Sequence, residues 1–310
     1  MRVVFMGTPE FARPSLEKLI ASRHTVAAVV TQPDRPKGRG ERVQPPPVKV
    51  VAEQNSIPVL QPEKVRATEA VAAIAAWAPE IIVVVAFGQI LPKAILDLPS
   101  KGCMNVHASL LPKYRGAAPI QWAIINGERE TGITTMRMDA GMDTGDMLLK
   151  ESVAILQDDT AGTLGEKLSR VGAELLLKTL DLWEAGAITP EVQDASAATT
   201  APRIQKEDGR IRWSDDAEAI ARRVRGLTPD PGVFTFHGND LWKIRQVEPL
   251  PGPTVGKPGE ILRVAPEGIA VAAGRGTVII RRLQIAGGKE MACAAFLRGH
   301  AVGVGAILGS

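Results

Sequence analysis

Four short apolar runs, separated by helix-like segments, constrain the fold of the first 150 residues more than any other feature. They are rich in Val and Ile and apolar throughout rather than alternating, which is typical of parallel strands buried on both faces. The runs are Val3–Met6, Val26–Val30, Ile81–Ala86 and Cys103–Val106. Intervening segments such as Pro14–Ala21 and Ala67–Trp77 are predicted helices. The repetition predicts an α/β fold with a doubly wound, mostly parallel, Rossmann-like sheet.

A different pattern follows the long amphipathic helix predicted at Thr160–Ala185. The stretch 189–205 is polar and lacks periodicity, so we interpret it as a linker. Beyond it, one predicted helix precedes short β-like runs punctuated by Gly and Pro, a spacing typical of small β-barrels. We therefore predict an N-terminal Rossmann-like domain over 1–188, a linker over 189–205 and a smaller, OB-like C-terminal β-barrel domain over 206–310.

Composition excludes several classes of protein. Hydrophobic residues make up 45% of the 310 residues and charged residues 23%, which is ordinary for a globular chain and unlike a disordered or fibrous one. No run reaches the 18 apolar residues of a membrane helix, and the first residues lack signal-peptide features. The two cysteines, Cys103 and Cys293, have no partners at metal-ligand spacing. We expect a cytoplasmic monomer without membrane association or bound metal.

Positive charge is concentrated in two places. Residues 206–310 hold 15 Lys and Arg against 11 Asp and Glu, whereas the rest of the chain is close to neutral. The second concentration is the connection Gln32–Lys49, and such long connections are usually functional or disordered. Its cations include Arg35, Lys37, Arg39 and Arg42. We interpret it as an arm that carries positive charge to phosphates, although a tolerated surface loop and a solvated basic barrel face are alternatives.

The densest cluster of chemically reactive side chains lies between Cys103 and Asp146. Asn105 and His107 alternate along a predicted buried strand, so their side chains point the same way. Such polar groups need partners, which could simply be each other or the local backbone. A carboxylate from the Gly-rich turn Asp139–Asp146 could instead orient His107, while Asn105 could donate to an oxyanion. Without a nucleophile elbow, the cluster predicts acid–base and electrostatic chemistry with no covalent enzyme intermediate.

Several motifs resemble those of the folate-dependent formyltransferases. The central ones are Asn105-x-His107, the following Ser109–Pro112 and Asp143 within Met-Asp-Thr-Gly. Further matching segments are Phe5–Phe11, Thr31–Arg35, Gly38–Gly40, Ala86–Pro92, Ile204, Lys206–Asp208, Pro231-Gly232, Leu283-Gln284, Gly288-Lys289 and Phe296-Leu297. The resemblance covers nearly the whole chain, and the basic loop with the C-terminal domain is similar to the branch that acts on tRNA.

This resemblance implies transfer of the formyl group of 10-formyltetrahydrofolate to the α-amine of methionine on initiator tRNA, for translation initiation. The amine would attack directly, through a tetrahedral intermediate. Asn105 would donate to its oxyanion, and His107 would do so too or accept the amine proton. Asp143 would hold His107 and relay protons through water.

The resemblance also implies two sets of binding residues. Those for the folate are Phe87, Gly88, Ile90, Leu91, Pro92, Ser109, Leu110, Leu111, Pro112 and Asp139. Those for the tRNA are Arg35, Lys37, Arg39, Arg42 and Lys206. Contacts of the second kind position an RNA through its phosphates without reading its sequence.

Two other functions stay open on the sequence. One is a formyltransferase for a small amine, such as a glycinamide ribonucleotide or an amino-sugar nucleotide, which would not need the Gln32–Lys49 loop. The other is a nucleic-acid-binding protein with an inactive formyltransferase domain. The intact Asn105, His107 and Asp143 argue against the second.

Overall fold

The computed structural model describes residues 1–37 and 42–309, which divide into two compact units. The first unit comprises Met1–Gly116, Glu130–Ala154 and Gly165–Ala201. The second comprises Ala117–Arg129, Ile155–Leu164 and Pro202–Ser310. Two segments that precede residue 165 in sequence therefore group with the C-terminal residues.

The described part of the first unit contains nine strands. They are β1 (Arg2–Gly7), β2 (Thr25–Val30), β3 (Arg35–Lys37), β4 (Arg42–Gln44), β5 (Val59–Leu60), β6 (Ile81–Val85), β7 (Cys103–His107), β8 (Glu130–Arg137) and β9 (Met147–Ala154). Seven form one sheet in the order β5-β2-β1-β6-β7-β8-β9. The first five strands of this order are parallel to one another. Strand β8 is antiparallel to β7, and β9 is antiparallel to β8. The predicted mostly parallel sheet is confirmed.

Helices alternate with most of these strands, and each helix that was predicted before residue 190 begins and ends within one residue of its predicted bounds. They are α1 (Arg13–Ile20), α2 (Pro47–Gln54), α3 (Thr68–Ala76), α4 (Lys93–Leu96), α5 (Pro119–Ile125) and α6 (Ala161–Glu184), of which α5 belongs to the second unit. Pro47 and Pro119 stand at the first position of their helices, where proline loses no hydrogen bond and its fixed φ suits the helix. Within the residues described, none of these helices is both long and apolar enough to span a bilayer.

The core explains why the central strands are apolar throughout. All five residues of β6 are buried, as are Val3–Met6 in β1. On one face, Val84 packs in a cluster that also includes Cys103 at the start of β7, where burial raises the pKa of the thiol to about 12. Because side chains alternate, Asn105 and His107 continue this same face. The same face of β7 therefore begins in the apolar cluster, at Cys103, and ends with the polar side chains of Asn105 and His107.

The carboxyl ends of β1, β2 and β6 are joined by hydrogen bonds. The Thr8 hydroxyl donates to the Phe87 carbonyl at 3.0 Å, and the Gln32 amide donates to the same oxygen at 3.2 Å. The Gln32 backbone N–H in turn donates to the Thr8 hydroxyl at 3.3 Å. The loop after β6 is thus held to the loops after the two preceding strands of the sheet.

The connection Gln32–Lys49, expected as a long loop, contains the antiparallel hairpin β3–β4. At its base, Lys49 Nζ lies 2.9 and 2.8 Å from the two carboxylate oxygens of Asp34, and Gln61 donates to Asp34 at 2.6 Å. The hydrogen bonds from Gln61 and Lys49 hold the pKa of Asp34 below its ordinary value. Residues 38–41, which include Arg39, lie outside the described residues.

Much of the segment interpreted as a linker is bonded to the first unit. Glu191 forms an antiparallel bridge with Met147 at the start of β9. Thr200 forms a parallel bridge with Arg115. The backbone of this segment is therefore hydrogen-bonded within the first unit.

The second unit is built on an antiparallel sheet. Its remaining elements are α7 (Ala217–Gly226), β10 (Val233–His237), β11 (Asp240–Leu250), β12 (Ile261–Ala265), β13 (Gly268–Ala272), β14 (Thr277–Ile285), β15 (Met291–Ala292) and α8 (Cys293–Leu297). The strand order is β10-β11-β14-β13-β12, with β15 paired to β14. Residues near the C-terminus bridge both edges: Leu308 pairs with His237, and Ile307 with Glu260. The predicted C-terminal β domain is confirmed, and this tail links the ends of the sheet.

Aromatic and aliphatic side chains fill the core of this second unit. Trp242 and Phe296 meet edge to face with ring centroids 5.1 Å apart. Ile220 and Val224 of α7 are buried in the same cluster. Trp213 satisfies its buried indole N–H by donating to the Thr235 hydroxyl at 3.0 Å, as buried indoles generally require.

Candidate active site

His107 ends β7 and is 6% exposed. Its Nε2 lies 2.9 Å from the backbone carbonyl of Tyr114. Because a carbonyl oxygen only accepts, Nε2 must carry the hydrogen of this contact. In the neutral ring Nδ1 then holds the free lone pair, so Nδ1 is the ring nitrogen that can take up a proton.

The Asp143 carboxylate connects the two predicted strand residues. Its Oδ1 accepts from Asn105 Nδ2 at 3.3 Å, and its Oδ2 accepts from the Gly116 backbone N–H at 2.9 Å. Oδ2 also lies 3.6 Å from His107 Nδ1, close enough for strong attraction once the ring is charged. The structure thus brings together the three residues that the sequence singled out.

Asp143 reaches this position by an indirect path. Strand β8 ends at Arg137, which pairs with Met104 near the amino end of β7, whereas His107 is at the opposite end. The turn after β8 must therefore fold back along the strand by about 10 Å, three residues at about 3.3 Å each. Asp143 has a φ of +54°, a left-handed conformation that costs a non-glycine residue free energy.

The loop after β7 is fixed by a small network of hydroxyl groups. Ser109 is fully buried and its hydroxyl donates to the Lys113 carbonyl at 2.7 Å. The Thr134 hydroxyl donates to the Ser109 carbonyl at 2.7 Å and accepts from the Leu111 N–H at 3.1 Å. Leu110 and Pro112 are half-buried, and the Leu111–Pro112 peptide is cis. This network positions Tyr114, whose carbonyl holds His107.

The residues expected to bind folate after β6 differ in exposure. Phe87 and Leu91 are buried in the core and Pro92 is half-buried, while Gly88 has a φ of +84° that suits glycine. Ile90 is 83% exposed. Ile90 therefore exposes a large apolar side chain in the same loop that buries Phe87 and Leu91.

The second predicted folate segment is the turn after β8. Asp139 is exposed, and its carboxylate accepts from the Gly141 N–H at 3.0 Å and the Thr144 hydroxyl at 2.8 Å. The side chain therefore closes its own turn. Met142, two residues before Thr144, is 66% exposed.

The predicted tRNA contacts that fall within the described residues lie on the β3–β4 hairpin and in the second unit. Arg35 is exposed on β3, and Lys37 and Arg42 stand at the facing ends of the hairpin strands. Lys206 is exposed in a short 3-10 helix, Lys206–Gly209, of the second unit.

Sequence reasoning missed two side chains that support the Asp143 turn. Gln193 is 7% exposed, and its amide donates to the carbonyls of Asp143 and Gly145 at 2.8 and 2.7 Å. Arg115 donates to Gln193 Oε1 from two guanidinium nitrogens, at 3.0 and 2.8 Å. The only sequence signal was an Arg next to the Ser109–Pro112 motif and a Gln within a polar stretch, and neither spacing indicates contact.

Comparisons with known proteins agree with this architecture. Residues 1–180 match the family model described as formyl transferase, and residues 203–301 match that of the formyl transferase C-terminal domain. Among solved structures, WlaRD, a sugar 3N-formyl transferase in the presence of dTDP and 5-N-formyl-THF, has a similar fold. It superimposes with a TM-score of 0.69 at 18% identity, over 93% of this chain and 99% of that one.

Curated relatives are similar over their full length. The methionyl-tRNA formyltransferase of Citrifermentans bemidjiense is 55% identical over 309 residues, covering 100% of this chain and 96% of the relative. That of Geotalea uraniireducens is 53% identical, covering 100% of this chain and 98% of the relative. With both domain models and such relatives matched across the chain, this protein belongs to the methionyl-tRNA formyltransferase family of formyl transferases.

Proposed function

We propose that this chain transfers the formyl group of 10-formyltetrahydrofolate to the α-amine of methionine on initiator tRNA. The observation that carries the proposal is the shared Asp143 carboxylate, which lies against both Asn105 and His107. The family membership supports the reaction class. The arrangement of these three groups supplies a proton acceptor and a hydrogen-bond donor, which amine attack on a formyl carbon requires.

His107 serves as the proton acceptor in this proposal. The attacking amine becomes positively charged as its bond to the formyl carbon forms, and it must lose a proton. Because Nε2–H is committed to the Tyr114 carbonyl, the proton is taken by Nδ1. The imidazolium that results is stabilised by the Asp143 carboxylate 3.6 Å away.

Asn105 serves as the donor to the developing oxyanion. Its side-chain amide carries two hydrogens, and one of them points to Asp143. The other is available to the formyl oxygen as negative charge builds on it. A fixed donor of this kind stabilises the transition state more than the ground state, because the charge is largest there.

Asp143 has two roles that follow from its position. Its Oδ2 is fixed by the Gly116 N–H, so the carboxylate stays between Asn105 and His107. It holds both groups and passes protons through water toward the leaving folate nitrogen. The tetrahedral adduct then collapses with N10 of the folate as the leaving group.

The predicted folate segments offer a suitable surface for a pterin and its aromatic extension. Ile90 and Met142 expose apolar side chains in these two segments. The backbone around Gly88 and the Asp139–Thr144 turn presents polar groups beside them. The co-substrate supplies the formyl group; Phe87, Leu91, Pro92 and Ser109–Pro112 shape the loops that would hold it.

The tRNA is proposed to contact the cations of the hairpin and of the second unit. Arg35, Lys37, Arg39 and Arg42 would bring positive charge to the acceptor end, and Lys206 would contact the backbone elsewhere. Contacts with phosphates make affinity fall steeply with salt.

We also propose that the enzyme is a cytoplasmic monomer that holds no metal ion. Its proposed domains are the N-terminal domain 1–188 and the C-terminal domain 206–310, joined by the linker 189–205.

The direct test is a transfer assay with purified protein, 10-formyltetrahydrofolate and three acceptors. Methionylated initiator tRNA should be formylated much faster than methionylated elongator tRNA. A small amine, tested as a glycinamide ribonucleotide or an amino-sugar nucleotide, should not react measurably. Faster transfer to the small amine would replace the proposed acceptor, and no transfer to any acceptor would remove the proposed activity.

A further inference from the structure

The turn that carries Asp143 has two features that oppose its position. It begins beside the amino end of β7 and must fold back along the strand to reach His107 at the carboxyl end. Asp143 itself has a left-handed backbone conformation, with a φ of +54°. Such a conformation persists only where the surroundings over-determine it. Something outside the turn must therefore hold it.

Gln193 makes the bonds that do so. Its two amide hydrogens go to the carbonyls of Asp143 and Gly145, and its oxygen accepts two bonds from the Arg115 guanidinium. The amide thereby uses two donors and two acceptor sites, which is its full capacity. Because the Gln193 side chain is 7% exposed, water has little access to its end of these bonds.

Close packing restricts the backbone conformations open to the turn once Gln193 is in place. A Cβ on Gly145 would lie 1.9 Å from the Arg137 carbonyl oxygen, so the backbone passes directly against the end of β8. The Met147–Glu191 bridge aligns the segment before Gln193 with the strand that follows the turn. Gln193 therefore meets the turn in a fixed register.

The segment 114–116 links this support to the reactive groups. The Tyr114 carbonyl accepts from His107, the Gly116 N–H donates to Asp143, and Arg115 between them donates to Gln193. Two backbone bonds anchor the segment: the Arg115 N–H donates to the Thr199 carbonyl at 2.8 Å, and the Arg115 carbonyl accepts from the Ala201 N–H at 2.7 Å. Three consecutive residues thus set the positions of the imidazole, the carboxylate and the supporting amide relative to each other.

We propose that Gln193, held by Arg115, is a positioning residue that fixes the Asp143 carboxylate between Asn105 and His107. The inference rests on the proposed function, because it assigns Gln193 a part in that reaction. Gln193 touches no reacting atom and acts through Asp143 alone. Losing its donors frees the turn to relax, and a misplacement of about 1 Å at such a site costs on the order of 100-fold in rate.

Two substitutions test this assignment. Gln193→Met keeps the volume and removes all four hydrogen bonds, and Gln193→Glu keeps the acceptor for Arg115 but removes the donors. We expect both to lower kcat by roughly 10- to 100-fold while KM for the tRNA stays within about twofold. Asp194→Asn is the matched control in the same segment, because Asp194 caps only its own short turn, and it should keep the parent kcat.

The decisive readout is the same substitution in a background that lacks the carboxylate. If Gln193 acts only through Asp143, Gln193→Met in an Asp143→Asn protein should cost no more than about twofold further in single-turnover rate. Three results would overturn the positioning role. They are rate losses of Gln193→Met and Asp143→Asn that multiply in full, an unchanged kcat in the single variants, and a change in KM alone. If Gln193→Met does not fold, as judged by circular dichroism, Gln193→Glu carries the test. An inactive parent protein would instead refute the proposed function.

Discussion

The site at the end of β7 and the β3–β4 hairpin belong to the same unit but are built in opposite ways. In the site, His107 is 6% exposed and the Asp143 side chain 17%, and both are fixed by neighbours. In the hairpin, Arg35 is exposed and Val43 is 65% exposed. The hydrogen bonds through Asp34 hold the base of the hairpin.

This difference matches what each region must do. Stabilising a transient charge requires donors and acceptors that are already in place, because reorganisation during the reaction would cost rate. Holding an RNA backbone requires positive charge within reach of phosphates, and several arrangements satisfy that. Substitutions in the site should therefore change kcat by large factors, and substitutions in the hairpin should change tRNA affinity by smaller ones.

The largest effect is expected for His107→Ala. Removal of the proton acceptor should lower kcat by roughly 100- to 10,000-fold, the range for general acid–base catalysis. The assay is steady-state formylation of methionylated initiator tRNA, with thermal unfolding as a control for folding. Turnover within tenfold of the parent would show that another group accepts the proton.

Asn105→Ala should follow, with kcat lower by roughly 100- to 1,000-fold, as for loss of one oxyanion donor. Folate affinity, measured by equilibrium titration, should change little, because the second N–H is used only as charge develops. Equal losses in folate binding and in kcat would instead make Asn105 a binding residue.

Arg39→Ala tests the role assigned to the connection that contains the β3–β4 hairpin. It should raise KM for the tRNA by roughly 10- to 100-fold, the range of one charge-assisted hydrogen bond, and reduce the slope of log affinity against log salt by about one. Folate binding should stay nearly intact. Lys101→Ala, which removes an exposed cation elsewhere in the first unit, is the matched control and should leave both constants unchanged. Equal weakening of folate and tRNA binding by Arg39→Ala would assign the loop to the fold or the folate site.

Asp34→Asn should have a smaller effect. It weakens the ion pair with Lys49 at the hairpin base without removing a cation, so KM for the tRNA should rise only a few-fold. kcat at saturating tRNA should be that of the parent. A large fall in kcat would mean that the hairpin base influences the reactive groups themselves.

The smallest effect concerns a second buried histidine, His24, which has no place in the reaction. Burial, and then the charge of the Met1 amine, lower its pKa in the folded protein. Protonation therefore favours the unfolded chain, and stability is lost as the pH falls below about 6.5, the unfolded value. His24→Gln should show a smaller decrease in unfolding free energy between pH 7.5 and 5.5, measured by urea titration. An equal decrease in both proteins would contradict this assignment.

The sequence predicted those features that depend on neighbours along the chain. The apolar runs predicted the strands, because burial of a strand on both faces excludes polar residues. The period of two placed Asn105 and His107 on one face, and the Gly-rich turn supplied the carboxylate. The resemblance to formyltransferases connected these residues with a reaction.

Other features depend on contacts between residues distant in sequence. Gln193 and Asp143 are 50 residues apart, and their hydrogen bond leaves no periodic pattern. The return of the turn along β7 follows from β8 being antiparallel, which apolar runs do not reveal. Likewise, residues 307 and 308 bridge the β-sheet edges within a Gly-rich tail too short to be predicted as a strand.

The central claim is that His107 and Asp143 act as one unit on the proton of the attacking amine. A double-mutant cycle of His107→Ala and Asp143→Asn, measured as single-turnover formyl transfer to methionylated initiator tRNA, tests it most directly. The account predicts that the double variant is slower than the worse single variant by no more than about threefold. Losses that multiply in full would show that the two side chains act independently and would contradict the account.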